Sequence, residues 1–223
     1  MDTHVDEAHL QALLDHARDL HEGSSVHGVA AATLGADDDD VAVLQTAASL
    51  ENLAVSVYTA ALALDALRRG NATVLAFVTT TRNQHADHAA AFNAAVTQAG
   101  GAVQTNPDPR YDAMVQDAPF DTVADVIRLA STLEDAAAQT YVRAASLVGT
   151  PALRTLFVSV AAVEAQHRAV LLAVGALLAA EPAGELTLHP TLARLPAAIG
   201  SVGFPAAVVP AAHASPPGEG ALR

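Results

Sequence analysis

Val160-Ala161-Ala162-Val163-Glu164-Ala165-Gln166-His167-Arg168-Ala169-Val170-Leu171 is the stretch that decides how this chain is read. Glu164 and His167 are three residues apart in a run whose apolar positions Leu153, Phe157, Val160, Leu171, Val174 and Leu178 recur every three or four residues. A helix with that spacing puts both polar groups on its buried stripe. A buried carboxylate without a partner costs on the order of several kcal/mol. The spacing therefore predicts partners for both groups inside the core, either hydrogen-bonding side chains or a metal ion.

Working outward, three more segments show the same intrusion. A helix over residues 40 to 69, closed by Gly70, has the stripe Leu44, Ala48, Glu51, Val55, Tyr58, Leu62. Asn71 is expected to cap a second helix reaching Ala99, with Val74, Val78, Thr81, His85, His88, Phe92 and Val96 on its stripe. After Gly100-Gly101 a connection through residue 120, with Pro107, Pro109 and Pro119, leads to Asp121 as the cap of a third helix. That helix ends near Val148 and carries Val123, Ile127, Ala130, Glu134, Ala137 and Tyr141. Thr150-Pro151, a cap followed by proline at the first helical position, opens the fourth helix, which ends near Glu181.

Composition agrees with helices throughout. Of 223 residues 52% are hydrophobic, much of that alanine, and only 4% are aromatic, which favours closely packed helices over sheet. The net charge of -13 argues against nucleic acid and anionic membrane surfaces as partners and suits cations. The absence of cysteine excludes disulfides, thiolate metal sites and cysteine nucleophiles. Within residues 1 to 36, Asp2, Asp6, Glu7, Asp15, Asp19 and Glu22 interrupt any apolar core of a signal peptide, so a cytoplasmic location is expected and export stays open. Uncharged runs such as Ala169 to Ala180 fall short of a membrane span, and Leu195 to Pro217 is broken by prolines.

Three regions result: residues 1–36, a short helix over 5 to 21 with a linker; 37–181, the bundle; and 182–223, a Pro/Ala-rich tail. In the tail Leu192, Leu195, Ile199, Phe204 and Val208 suggest an extended strap, with the last ten residues expected to be disordered. The acidic run Asp37 to Asp40 is expected to satisfy free N–H groups at a helix start. His4, His9, His16, His21 and His27 are read as surface imidazoles.

The chain also repeats itself. Ser49-Leu50-Glu51 with Tyr58 aligns without a gap on Thr132-Leu133-Glu134 with Tyr141, tyrosine following glutamate by seven residues in both. In the succeeding helices His85-x-x-His88 stands against Glu164-x-x-His167. Two helical hairpins joined by one long link make a four-helix bundle of ferritin-like topology. The general rule for metal centres in such bundles is one Glu from each of two helices and Glu-x-x-His from each of the others. The corresponding set here is Glu51, His85, His88, Glu134, Glu164 and His167.

At these residues the sequence resembles the ferritin-like domain proteins that include the desiccation-related proteins, through Ser49-Leu50-Glu51-Asn52-Leu53, Thr132-Leu133-Glu134-Asp135 and Val163-Glu164-Ala165-Gln166-His167. The resemblance covers residues 38 to 181. It implies a buried centre for divalent metal, iron foremost with manganese or zinc as alternatives, and a part in iron, oxygen or stress chemistry. It departs at His85, where the family pattern has a bridging glutamate. Three carboxylates in place of four leave the excess charge of a metal pair less compensated, so one ion, or an asymmetric pair, is expected. No catalytic residue is assigned, and homo-oligomerisation stays open. Tyr58 and Tyr141 have two readings, hydrogen bonds to the carboxylates or, the favoured one, core tyrosines with satisfied hydroxyls, and Asp135 is placed to orient a ligand histidine. The competing reading is a metal-free helical scaffold in which the six residues form a polar network.

Overall fold

A computed structural model describes residues 38–70, 72–180 and 211–222. The expected helix over 5 to 21 with its histidines, the capping role of Asn71 and the strap residues from Leu192 to Val208 lie outside these. Among the described residues there are six helices and no strand: α1 Asp38–Ala63, α2 Asp65–Arg68, α3 Ala72–Gln98, α4 Pro109–Asp117, α5 Val123–Ala144 and α6 Pro151–Ala180. α1 pairs extensively with α3 and α5 with α6, while α1 lies against α5 to join the two hairpins. α3 and α6 touch far less. This is the all-α, ferritin-like bundle with one long crossover, between α3 and α5.

Small residues bring α1 and α5 together: Ala47, Ala48, Ala54, Ala61, Ala130, Ala136 and Ala137 are buried. The apolar core falls into two clusters along the helices. One gathers Leu44, Leu53, Phe92, Tyr141, Leu153 and Phe157, and the other Tyr58, Leu67, Val78, Val126, Ile127 and Leu171. Between them, on each of the four long helices, fall the polar positions that interrupt the stripes.

Several local expectations are corrected. The first helix does not run to residue 69: Leu64 is extended (φ -67°, ψ 127°), and the short α2 that follows turns Leu67 into the second cluster. The crossover contains a helix, α4, opened by Asp108, whose side chain accepts from the N–H groups of Arg110 (3.0 Å) and Tyr111 (3.2 Å), with Pro109 at the first position. Thr122, not Asp121, caps α5, forming a reciprocal capping box with Asp125. By length and composition Pro151–Ala179 would also suffice to cross a membrane, although its uncharged runs are short; in this fold its Glu- and His-bearing stripe faces the other helices.

The crossover is held by side-chain amides. Gln104 N–H donates to Asn93 Oδ1 (2.8 Å), and Asn93 and Asn52 both donate to the Gln104 carbonyl. Gly100, with φ of 83°, takes the left-handed turn that ends α3. The tail, expected to be disordered at its end, is instead docked over residues 211–222. Ser215 N–H donates to Thr140 Oγ1 (2.8 Å), Gly220 N–H to Thr46 Oγ1 (3.3 Å) and Leu222 N–H to Gln45 Oε1 (3.1 Å). A Cβ on Gly220 would overlap the Ser49 side chain, so only glycine lets the tail come this close.

Asp40 also departs from its expected role at its own helix start. Its buried carboxylate accepts from Gly149 N–H at 3.0 Å and so ties α1 to the turn between α5 and α6. Asp40→Ala is therefore expected to cost about 1–2 kcal/mol by orphaning that N–H. Denaturant unfolding measures it, and an unchanged midpoint would contradict the role given to this contact.

Candidate metal centre

Each of the four long helices delivers part of the polar layer: α1 Glu51, α3 His85 and His88, α5 Glu134, α6 Glu164 and His167. All six predicted residues come together. Five are buried, and the His88 side chain is 11% exposed, which puts the layer's contact with solvent along the sparse α3–α6 seam. The donors form two overlapping quartets, Glu51–His85–His88–Glu164 and His85–Glu134–Glu164–His167, with the offered atoms of each within 4.8 Å of one another. His85 and Glu164, the pair aligned by the sequence repeat, are common to both. The repeat has thus become an approximate symmetry of the site.

His85 occupies the middle. Its Nδ1 is 2.7 Å from Glu51 Oε2 and its Nε2 3.1 Å from Glu134 Oε1, so one ring spans carboxylates of two different helices. The tyrosines cross over in the same manner: Tyr141 of α5 donates to Glu51 Oε1 of α1 at 2.5 Å, and Tyr58 of α1 donates to Glu134 Oε1 of α5. Burial, reinforced by the facing carboxylates, pushes both phenols well above their usual range and keeps them as protonated donors. Of the two tyrosine readings the sequence offers, the structure has the hydrogen bonds to the carboxylates.

Asp135 does not orient a ligand histidine. It faces away from the layer, 3.2 Å from Arg168 Nε and 3.0 Å from His213 Nδ1 of the tail, and it accepts from Gln139. The partner that orients a ligand candidate is Gln84, whose Oε1 lies 2.8 Å from His167 Nε2. With Nε2–H donated to Gln84, Nδ1 faces Glu164 (3.2 Å) and Glu134 (3.5 Å), donating to Glu164 when the ring is protonated and offering a lone pair to an ion when it is not. Gln84 was missed in the sequence because it flanks the stripe; its position one turn before His88 on α3 was the available signal.

Some buried polar atoms of the layer have no hydrogen-bond partner: His88 Nδ1, Glu134 Oε2 and Glu164 Oε1. His88 Nδ1 and Glu164 Oε1 are 2.8 Å apart yet not aligned for a hydrogen bond. Donors and acceptors so close and unaligned are placed to share a third atom. A set of imidazole nitrogens and carboxylate oxygens fits a divalent ion of the zinc, iron or manganese kind. On the α1–α5 side of His85, a cavity of about 10 Å³ is walled by Glu51, Glu134 and apolar side chains. Phe92, Tyr141 and Phe157 pack together beside the layer with ring centroids 5.0–6.1 Å apart.

Without metal the charges compensate one another. Burial alone would raise Glu51, but the charge and hydrogen bond of His85, with the nearby charge of His88, hold it down to about 2. Burial alone would lower His88, yet its contacts with Glu164 and Glu51 carry it up to about 10. His85 and His167 are raised and Glu134 is held down in the same way, burial being outweighed by the opposite charges. Glu164 moves the other way: burial and the Glu51 charge raise it, with His85 only partly offsetting them.

In comparisons with known proteins, residues 39–176 match the family described as a ferritin-like domain. Comparison with curated proteins and with solved structures found no significant match.

The ion pairs set a pH window for the metal-free protein. His88, raised from 6.5 to about 10, contributes its full stability below pH 6.5 and loses it as pH rises toward 10. Glu51, lowered from 4.5 to about 2, contributes above pH 4.5 and loses it as pH falls toward 2. The melting temperature of chelator-treated protein is therefore expected to peak between pH 4.5 and 6.5 and to fall on both sides. Thermal unfolding across that range checks it; a profile that stays flat from 6.5 upward would remove the imidazolium from the account.

Proposed function

Because the chain belongs to the ferritin-like domain family, we propose that its buried Glu/His layer binds a divalent metal and serves iron or reduced-oxygen chemistry, in a setting such as oxidative or drying stress. The observation that carries this is the gathering of six Glu and His side chains from four helices into two overlapping quartets, in which His88 Nδ1, Glu164 Oε1 and Glu134 Oε2 are buried and not hydrogen-bonded. Glu51, His88 and Glu164 would hold an ion in one quartet, and Glu134, Glu164 and His167 in the other, with His85 common to both. When bound, iron or manganese supplies one-electron redox chemistry and Lewis acidity there.

The chain's own groups do the rest. Tyr141 and Tyr58 hold Glu51 and Glu134 by one oxygen each, and Gln84 fixes the His167 ring. The aromatic trio excludes water on one side, so exchange with solvent is directed to the α3–α6 seam beside His88. Each imidazole must lose its proton to act as a ligand, so metal affinity rises with pH.

A second reading, a metal-free scaffold, has an observation of its own. His85 already joins Glu51 to Glu134, and three imidazolium groups opposite three carboxylates make a layer without net charge. Metal content separates the two. Protein purified without a metal-affinity tag and titrated with Zn²⁺ or, anaerobically, Fe²⁺ is expected to bind one ion tightly per chain. Glu164→Ala should lose most of that ion, about a hundredfold in affinity or more, and keep its helical circular dichroism. Full binding by Glu164→Ala would overturn the ligand assignment. Substitution of His85 by Glu restores a fourth carboxylate and is expected to raise the number of ions bound; a wild type already holding two would show that the histidine suffices.

A further inference from the structure

Next to the Glu/His layer, in the second apolar cluster, lies a cavity of about 90 Å³ that the metal reading does not use. Tyr58, Val78, Val126, Ile127, Leu171 and Val174 form its walls, and its exposed wall is wholly apolar. We propose that it is a binding site for one short unbranched alkyl chain, inserted end-on from the α3–α6 side. A cavity with no donor or acceptor stays dry, and an engineered cavity of about 150 Å³ with this kind of lining takes benzene. The one here is smaller, with room for a few methylene groups, and it exceeds what a single water needs.

Position selects a chain over a free gas molecule. Its lining includes Val170, 41% exposed, and Tyr58, 2% exposed. The cavity thus runs from the surface inward, so a polar head group can stay in water while the tail is buried. Its inner edge is coupled to the layer twice. The Tyr58 hydroxyl donates to Glu134, and Phe77, also in the lining, sets its ring edge-on to His167 at 6.5 Å. A bound chain would therefore end against the two aromatic rings that contact the site. The site is argued from the cavity alone and holds with or without metal in the layer.

The test is a titration of the full chain, labelled at its Val, Leu and Ile methyl groups, with linear primary alcohols from 1-propanol to 1-octanol, followed by NMR. Saturable shifts are expected at Val78, Val126, Ile127, Leu171 and Val174, and none at Leu44 or Val57 in the other cluster. Affinity should rise about fourfold per methylene and then level off once the cavity is filled. Val174→Phe, which fills the cavity from α6, should weaken binding at least tenfold; Val123→Phe does the same from α5 if the first variant folds poorly. Absence of saturable shifts overturns the proposal. So does affinity that climbs through octanol with shifts scattered over the surface, a result the wild type alone can give.

Discussion

A single imidazole ring held between two carboxylates governs this structure. His85 spans Glu51 and Glu134 in the driest part of the bundle, where an unpaired charge would be costly enough to open the core. Two of the three groups belong to one hairpin and the third to the other, so the contact that compensates charge also joins the halves. The tyrosines repeat the arrangement from the outside, each reaching across α1 and α5 to the other's glutamate. Alanine makes this reach short enough, since larger residues at Ala54, Ala130 or Ala137 would separate the helices that the polar groups link.

The histidine also changes what the layer can be. A carboxylate at this position would need metal or protons to offset it, whereas His85 can carry the offsetting charge itself or give it up. Two states of similar internal balance become available, one held by imidazolium and one by a cation from solution. The partnerless atoms gather around Glu164, the one carboxylate that the tyrosines leave alone and whose affinity for a proton is raised. The layer is asymmetric in that sense, although the fold that builds it is nearly two-fold.

How much of this could be read in advance depends on which forces act locally. Helical stripes interrupted by Glu51, His85, Glu134 and Glu164 were legible because burial is periodic and a charge at a buried position stands out. The seven-residue spacing repeated in both halves made the tyrosines legible beside the carboxylates, but not their crossing, because it places each on one face with its own helix's glutamate. α4 was obscured by its three neighbouring prolines, although Asp108-Pro109 is the same kind of start as Thr150-Pro151. Asp135 misled because adjacency to Glu134 in sequence is a rotation of about 100° on a helix, which turns it to the outer face. Leu64 carries no breaker residue; its extended backbone follows from the burial of Leu67, a tertiary demand that local sequence does not announce.

The docked tail sets an order of events in time. Thr46 and Gln45 near the start of α1 receive backbone groups from Gly220 and Leu222, at separations of 174 and 177 residues, and Gln104 of the crossover donates to the Gly220 carbonyl. Contacts of that span close last, because the intervening chain must already be ordered before the loop closes at acceptable entropy. During synthesis α1 and the crossover therefore emerge with amides and hydroxyls whose partners do not yet exist. The hairpins can assemble first, but the docked residues of the tail are made after every described helix, which makes the tail a late lock on a fold otherwise nucleated from within.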